Sequence, residues 1–342
     1  QKTILSTGGY LPIDGSPDYC QEVKKLLFGD TNSILSENTL VTVQSLGGTG
    51  ALRVGAEMLK TFSPNSTIAI SDPSWENHRS IFESVGLKVV TYPYYDNSKK
   101  KIKHTEFLEK LITLPEQSTI ILHACCHNPT GLDLKNSQWN EVLSVMEEKN
   151  HIPFLDIAYQ GFKDGIDEDA EIIRRFVSRI RPTFVASSFS KSLSLYGERV
   201  GALSIATNSN SESEKVLSHL KKIVRSNYSN PPTYGQYLVT EVLTDKNARI
   251  QWNEELNTMR NRIKATRVAL VELLKDNNKS RDFSFITSQN GMFSFSGLNE
   301  IEVTKLRNDF GIYIVNSGRI CIAAINENNI DYVASSISSV ID

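Results

Sequence analysis

From Thr42 to Thr207 the sequence alternates short runs rich in β-branched and aromatic residues with longer segments whose apolar residues recur every three or four positions. Few folds are open to a chain patterned in this way. Strand, crossover helix and strand repeat into an α/β fold whose mostly parallel sheet is covered by helices on both faces. Five runs read as strands: TIAIS (67–71), TIILHACC (119–126), PFLDIAY (153–159), TFVASS (183–188) and VGALSIA (200–206). Their nearly continuous apolar character suits strands buried on both sides. The segments GTGALRVGAEMLKTF, SQWNEVLSVMEEKN and EDAEIIRRFVSRI read as helices, the second opened by Ser137 as its N-cap. In such sheets ligands gather beyond the carboxyl ends of the strands.

Past Pro231 and Pro232 the texture changes. A helical stretch from about Asn247 spaces Trp252, Leu256, Met259, Ile263, Leu270 and Leu274 three or four apart or at multiples of that period, long enough to bridge two domains. Then come FSFIT, GMFSFSGL, a helix-like EIEVTKLRNDFG, two short strands IYIV and RICIAA, and a last amphipathic helix. The expected division is a large domain over 1–258 and a small α+β domain over 259–342. A chain of 342 residues has room for both cores.

The 37 basic and 39 acidic residues nearly cancel, so charge gives no reason to expect nucleic acid or an anionic membrane as partner. Small molecules are the expected ligands. Cys20, Cys125, Cys126 and Cys321 lack zinc or CxxC spacing and read as reduced core thiols, and no bound metal is expected. No apolar stretch reaches the length of a membrane span, and the opening QKTILSTGGYLPIDG lacks the order of a leader, so a cytoplasmic location is expected. Gln at position 1, where an initiator Met would stand, points to sequence ahead of it.

Three features could carry chemistry, and each has an ordinary alternative. SLGGTGAL (45–52) is a glycine-rich turn opening a helix, where free N–H groups and the helix dipole point at an anion; turns of this kind without ligands are also common. Asp156 lies within an apolar run, where an ionised carboxylate needs a cation beside it; a cap or a buried ion pair would serve equally. Lys191 follows TFVASS in SFSKSLSLYGERVG, with Arg199 shortly after. A lysine at a strand end is ordinarily solvated, whereas one that attacks an aldehyde must be held neutral by its surroundings. A cofactor with a phosphate tail and a ring aldehyde would need all three features together. Gly48, Thr49, Ser188 and Arg199 would form the anion cradle, Asp156 would meet a pyridine nitrogen, and Lys191 would supply the amine.

Eight segments in order then carry a resemblance: GGTGAL, SWENH (74–78), HNPTG (127–131), DIAYQGF (156–162), SFSKSLSLYGERVG (188–201), NYSNPP (227–232), GMFSFSGL and SGR (317–319). Together they resemble the aspartate and aromatic aminotransferases of pyridoxal phosphate fold type I, over essentially the whole chain. LDIAYQGF, the spacing of SLSLYGERVG, and Cys321 just after Arg319 are more similar to the bacterial aromatic-preferring branch. The resemblance implies a large domain on a seven-stranded sheet, a smaller C-terminal domain, and a homodimer with shared active sites. It implies pyridoxal 5'-phosphate as cofactor, and transfer of the amino group of tyrosine, phenylalanine and aspartate to 2-oxoglutarate by a ping-pong mechanism.

The same resemblance implies a job for each residue. Lys191 forms the Schiff base and then moves a proton between the substrate Cα and the cofactor C4′. Asp156 keeps the pyridine nitrogen protonated. Tyr159 and Asn128 hydrogen-bond the phenolic oxygen, with His123 supporting them, and Trp75 stacks on the ring. Gly48, Thr49, Ser188 and Arg199 hold the phosphate, joined by Tyr10 of the neighbouring subunit. Arg319 pairs bidentately with the α-carboxylate, and the partner's Arg225 meets the distal carboxylate of a dicarboxylic substrate, with Asn128 and Trp75 bordering the same space. The ordinary alternatives are surface ion pairs for the arginines and core packing for Trp75 and Tyr10. His78 stays open between a site role and a satisfied core histidine.

Two departures stand out. The family continues after the SGR arginine with Asn and then Gly, where this chain has Cys321 and Ala324, which puts substrate preference in question. The family also carries several dozen residues ahead of the segment where this sequence starts, an arm that clasps the dimer and part of a lid, so weak turnover of a truncated form is one rival reading. A strict aspartate aminotransferase and a lyase are the rivals among enzymes. Two fixed cations, Arg225 and Arg319, favour a dicarboxylate transaminase over the lyase. A regulatory module on the same fold is the rival from another class.

Overall fold

The computed structural model describes residues 9–30, 32–277 and 281–341. Residues 1–8, on which part of the reading of the chain's start rests, lie outside the described residues. After helix α1 (Pro17–Phe28), whose N-cap Ser16 side chain accepts the N–H of Tyr19, and the single turn α2 (Ser33–Ser36), the chain enters β1 (Leu40–Leu46) and α3 (Gly47–Phe62). It continues through β2 (Thr67–Asp72), α4 (Glu76–Glu83) and β3 (Lys88–Pro93), then a small hairpin of β4 (Tyr95–Asp96) and β5 (Lys101–Ile102). There follow α5 (His104–Thr113), β6 (Thr119–His123), α6 (Asn136–Glu148), β7 (Ile152–Ile157), α7 (Ile166–Arg179), β8 (Thr183–Ser188) and β9 (Val200–Ala206).

Seven strands pair in the order β1-β9-β8-β7-β6-β2-β3. β9 runs antiparallel to both its neighbours, and the remaining ladders are parallel. Each crossover buries a helix on one face, and strand alternation sorts the core into two. Ile120, Leu122, Leu155, Ile157 and Val185 pack with α1, α5, α6 and α7. Ile121, Phe154, Phe184, Ala186 and Leu203 pack with α3, α4 and α8 (Asn210–Asn227).

Several expectations need correction. β1 and β3 are strands that the apolar runs did not announce, because β1 buries Gln44 and Ser45 among its valines and β3 is a half-exposed edge. TIILHACC leaves the sheet after His123, and by Cys126 the backbone is at φ +52°. PFLDIAY likewise ends as a strand at Ile157. α6 is capped at Lys135, whose N–H is taken by Gln138 Oε1 at 2.9 Å, and Ser137 lies inside the helix.

After α9 (Tyr234–Thr244), the 32-residue α10 (Lys246–Asn277) is one helix running through the expected boundary at 258. FSFIT, read as part of an α+β texture, forms a 3₁₀ turn over Ser284–Ser288. β10 (Phe293–Phe295) pairs antiparallel with β11 (Arg319–Cys321), with α11 (Glu300–Phe310) between them, and α12 (Ile330–Val340) packs on α10. IYIV is not a strand: Tyr313 is 80% exposed, and the segment has no ladder partner among the described residues. RICIAA is a strand only over its first three residues and then turns at Ile322–Ala324.

Candidate active site

Alternation along three strands builds one wall of the site. The residues facing α3 are Ile121 then His123 on β6, Phe154 then Asp156 on β7, and Phe184, Ala186 then Ser188 on β8. In each row an apolar residue is followed by a polar one at the carboxyl end of its strand. His123 pairs in register with Asp156, so the polar ends lie side by side. α3 can approach this face because Gly55 has no side chain: a Cβ there would lie 2.5 Å from Phe154 Cζ. The helix N-terminus is thereby brought to the strand ends, and a Cβ on Gly48 would stand 3.2 Å from that of Ser188.

A cavity of about 230 Å³ opens at this point. Gly48, Thr49, Trp75, Asn128, Asp156, Tyr159, Ser188, Lys191 and Arg199 all line it, together with His123. Arg319 stands at its edge, donating from Nη1 to Asn128 Oδ1 at 3.0 Å with its guanidinium 4.5 Å over the Phe293 ring. Tyr10 and Arg225 are not part of this cavity: Tyr10 is 93% exposed, and Arg225 is exposed with Nη1 donating to Ser229 Oγ at 3.2 Å.

His78, left open by the sequence, is fully buried and touches Asp156, Nε2 to Oδ2 at 2.9 Å, while its Nδ1 meets Ser74 Oγ at 2.9 Å. A carboxylate only accepts, so Nε2 carries the proton and a neutral ring takes the serine hydroxyl at Nδ1. Burial pushes the Asp156 carboxyl up, but the His78 bond and the neighbouring charges, Lys191 among them, outweigh it and hold it below the usual range. Burial lowers the Lys191 amine, Asp156 opposes that pull, and the Arg199 charge assists it, for a net value below the ordinary lysine. Its Nζ lies 5.0 Å from the centre of the Tyr159 ring. Burial, with Asp156 nearby, raises the Tyr159 phenol. His123 is held neutral by burial, its pKa lowered to about 3, and neither ring nitrogen has a partner among the described residues.

These groups fit pyridoxal phosphate by their chemistry. An anion would meet the N–H groups at the start of α3, the Ser188 hydroxyl and Arg199, whose Nη2 lies so near Gly47 that a Cβ there would come within 2.6 Å. A cationic ring nitrogen would meet the ionised Asp156, and an aldehyde would meet an amine whose pKa is already lowered. The orphaned nitrogens of His123 lie on the wall of the same cavity. His78, His123 and Asp156 also form a cluster with metal-ligand spacing, in which Asp156 already accepts the His78 ring N–H.

Comparison with known proteins agrees with this chemistry. The family model for class I and II aminotransferases matches residues 4–337. The aspartate aminotransferase of Pseudomonas aeruginosa is 52% identical over 333 residues, 97% of this chain and 84% of that protein. The aromatic-amino-acid aminotransferase of Escherichia coli is 45% identical over 331 residues, 97% of this chain and 83% of that protein. A crystal structure of the aromatic-amino-acid aminotransferase of Burkholderia pseudomallei, covalently bound to pyridoxal phosphate, superposes with a TM-score of 0.97 at 51% identity, covering 99% of this chain and 85% of that one. The chain belongs to the class I and II aminotransferase family. It is an aminotransferase, and its cofactor is pyridoxal phosphate.

Four further residues line the cavity without having been singled out from the sequence: Leu52, Ala158, Ser190 and Tyr196. Ser190 and Tyr196 lie within SFSKSLSLYGERVG, and Arg199 Nη1 donates to the Tyr196 carbonyl at 2.9 Å. Their neighbourhood to Lys191 in the sequence was the available signal. Phe293, which carries Arg319, had none beyond its place in GMFSFSGL.

Proposed function

We propose that this aminotransferase takes the amino group from aspartate and from aromatic amino acids, tyrosine and phenylalanine, and passes it to 2-oxoglutarate in a ping-pong cycle. The observation that carries the reading is Arg319, stacked on Phe293 and bonded to Asn128 beside the Lys191 amine. A guanidinium so held presents a fork to the α-carboxylate of a substrate whose Cα then faces Lys191. When bound, pyridoxal phosphate supplies a carbonyl that condenses with amines and a ring that accepts the electron pair left at Cα. Lys191 Nζ would take the proton from the substrate Cα and deliver it to the cofactor C4′. Asp156, kept ionised, holds a proton on the ring nitrogen, and His78 keeps Asp156 ionised. Tyr159 and Asn128 bind the phenolic oxygen, Trp75 covers the ring, and Gly48, Thr49, Ser188 and Arg199 hold the phosphate.

Tyr10 and Arg225, exposed and apart from their own chain's cavity, belong in this reading to the site of a second subunit in a two-fold dimer. The division into 1–258 and 259–342, within α10, and a cytoplasmic location are part of the same proposal; no helix among the described residues is long and apolar enough to cross a membrane. The alternative is a strict aspartate aminotransferase, the name carried by the Pseudomonas aeruginosa relative. Steady-state kinetics with aspartate, tyrosine and phenylalanine against 2-oxoglutarate separate the two. Turnover of all three donors is expected, with Arg225→Leu reducing kcat/KM for aspartate by about 30-fold or more and for phenylalanine far less. Turnover of aspartate alone would establish the alternative.

A further inference from the structure

One joint outside the cavity ties together the two stretches of chain that present Asn128 and Arg319. The turn after β6 carries Asn128, and β10 carries the Phe293 ring on which Arg319 lies. Asp133, partly buried behind that turn, accepts the N–H of Cys126 at Oδ2 and the N–H of His127 at Oδ1, both at 3.0 Å. The same Oδ2 accepts Asn290 Nδ2 at 3.1 Å, from 157 residues away in the chain. Asn290 in turn donates its backbone N–H to the Gly131 carbonyl at 2.6 Å. Gly131 sits at φ +69°, and a Cβ on it would lie 2.8 Å from Gln289 Cβ and 3.0 Å from the Phe293 carbonyl, so only glycine lets the two backbones meet. From the opposite side Arg267, 2% exposed, donates to the carbonyls of Gly291 at 2.6 Å and Phe293 at 2.8 Å and to Ser294 Oγ at 3.2 Å.

The segment leading into β10 is therefore held between one carboxylate and one buried guanidinium, neither of which lines the cavity. The 126–133 turn is closed by the two backbone bonds to Asp133 together with the Gly131 N–H donating to the His127 carbonyl at 2.7 Å. The third bond leaves the turn and spans from it to the segment that supports Arg319. An ionised carboxylate has lone pairs for all three donors, whereas an asparagine would offer one oxygen and two hydrogens that face other donors. Burial pushes the Asp133 carboxyl up, and although Lys163 and the three donors oppose it the net value stays above the usual carboxylate range. We infer that Asp133, acting through Asn290, is a positioning residue for substrate binding: it fixes the spacing between the Asn128 turn and the β10–β11 ribbon and so keeps Arg319 aimed at the substrate carboxylate.

This inference rests on the carboxylate-binding role proposed for Arg319, so its test carries Arg319→Lys alongside. The decisive variant is Asn290→Ala in the cofactor-loaded enzyme, because it leaves both turn bonds to Asp133 in place. KM for aspartate and for 2-oxoglutarate is expected to rise about 10-fold, with kcat changed less than about 3-fold and the near-visible spectrum and cofactor affinity unchanged. Asn290→Leu, which keeps about the size but offers no donor to Asp133, is expected to give the same split and serves if the alanine variant folds poorly. KM within about 2-fold of native in both variants, while Arg319→Lys raises it, would overturn the joint and leave Arg319 standing. Loss of cofactor affinity in step with KM would reduce Asp133 and Asn290 to scaffolding and overturn it too. A silent Arg319→Lys would remove the reading of Arg319 and this inference with it.

Discussion

His123 is a side chain whose chemistry departs far from its free state. Its pKa falls from 6.5 to about 3 because burial disfavours the cation, with the neighbouring His78 adding to the effect and Asp156 opposing it. The sign follows from linkage: the unfolded chain binds the proton first, so the stability this neutral ring contributes is complete above 6.5 and is lost as pH falls towards 3. Asp156, whose folded value is lowered, contributes stability that is present above its unfolded 3.8 and is lost only as pH falls through the folded value. Between pH 6 and pH 4.5, on the order of a pH unit or two, His123 therefore acts without Asp156. His127, lowered by burial as well, acts in the same direction. His123→Gln is expected to remove roughly 1.4 kcal/mol per pH unit from the pH dependence of unfolding in that window. Denaturant melts of the cofactor-free protein measure it, and an unchanged slope would mean that His123 is protonated in the fold. At this scale the sequence was most informative where residues cluster in motifs: nine expected residues line one cavity with His123. It left His78 open and was mute about Phe293, because what a lone side chain faces depends on strand register and on packing between distant segments.

Among the elements, those legible in the sequence were buried on both faces. TFVASS and VGALSIA coincide with β8 and β9 to the residue, since continuous apolar runs bounded by polar turns leave little freedom. β1 escaped notice because its buried Gln44 and Ser45 break the apolar run; Gln44 is satisfied across the chain by Pro232, its Nε2 donating to that carbonyl at 2.8 Å. IYIV, with the composition of a strand, is none, which shows that β propensity needs a neighbour to pair with. The contact of α3 with β7 at Gly55 was likewise invisible in one dimension. Gly55→Val drives two methyl groups into the Phe154 ring and is expected to destabilise the fold by about 1–3 kcal/mol, weakening cofactor affinity as the start of α3 is pushed from the strand ends. A denaturant midpoint equal to native would show that α3 can move away from β7 without loss.

For the whole molecule, the α/β architecture and its seven-stranded sheet followed from the alternation and the resemblance, whereas the single reversed strand β9 did not, because direction is not written in apolar periodicity. The two-fold dimer proposed above makes a further demand. Mixed under conditions that exchange subunits, Lys191→Ala and Arg225→Leu proteins should form heterodimers in which one site carries both defects and the other carries none. Aspartate turnover is expected to rise to about half the native value per heterodimer, and verified heterodimers without recovery would confine Arg225 to its own subunit. The central claim, that Lys191 holds the cofactor and moves the proton in an aminotransferase acting on both donor classes, is met most directly by single-turnover absorbance of the cofactor-loaded enzyme mixed with aspartate, tyrosine or phenylalanine. The native protein is expected to lose its near-visible band with each donor and to release one oxo acid per site. Lys191→Ala should bind the cofactor without that band and release none. A band that persists in Lys191→Ala, or a native band that no donor discharges, would contradict the account.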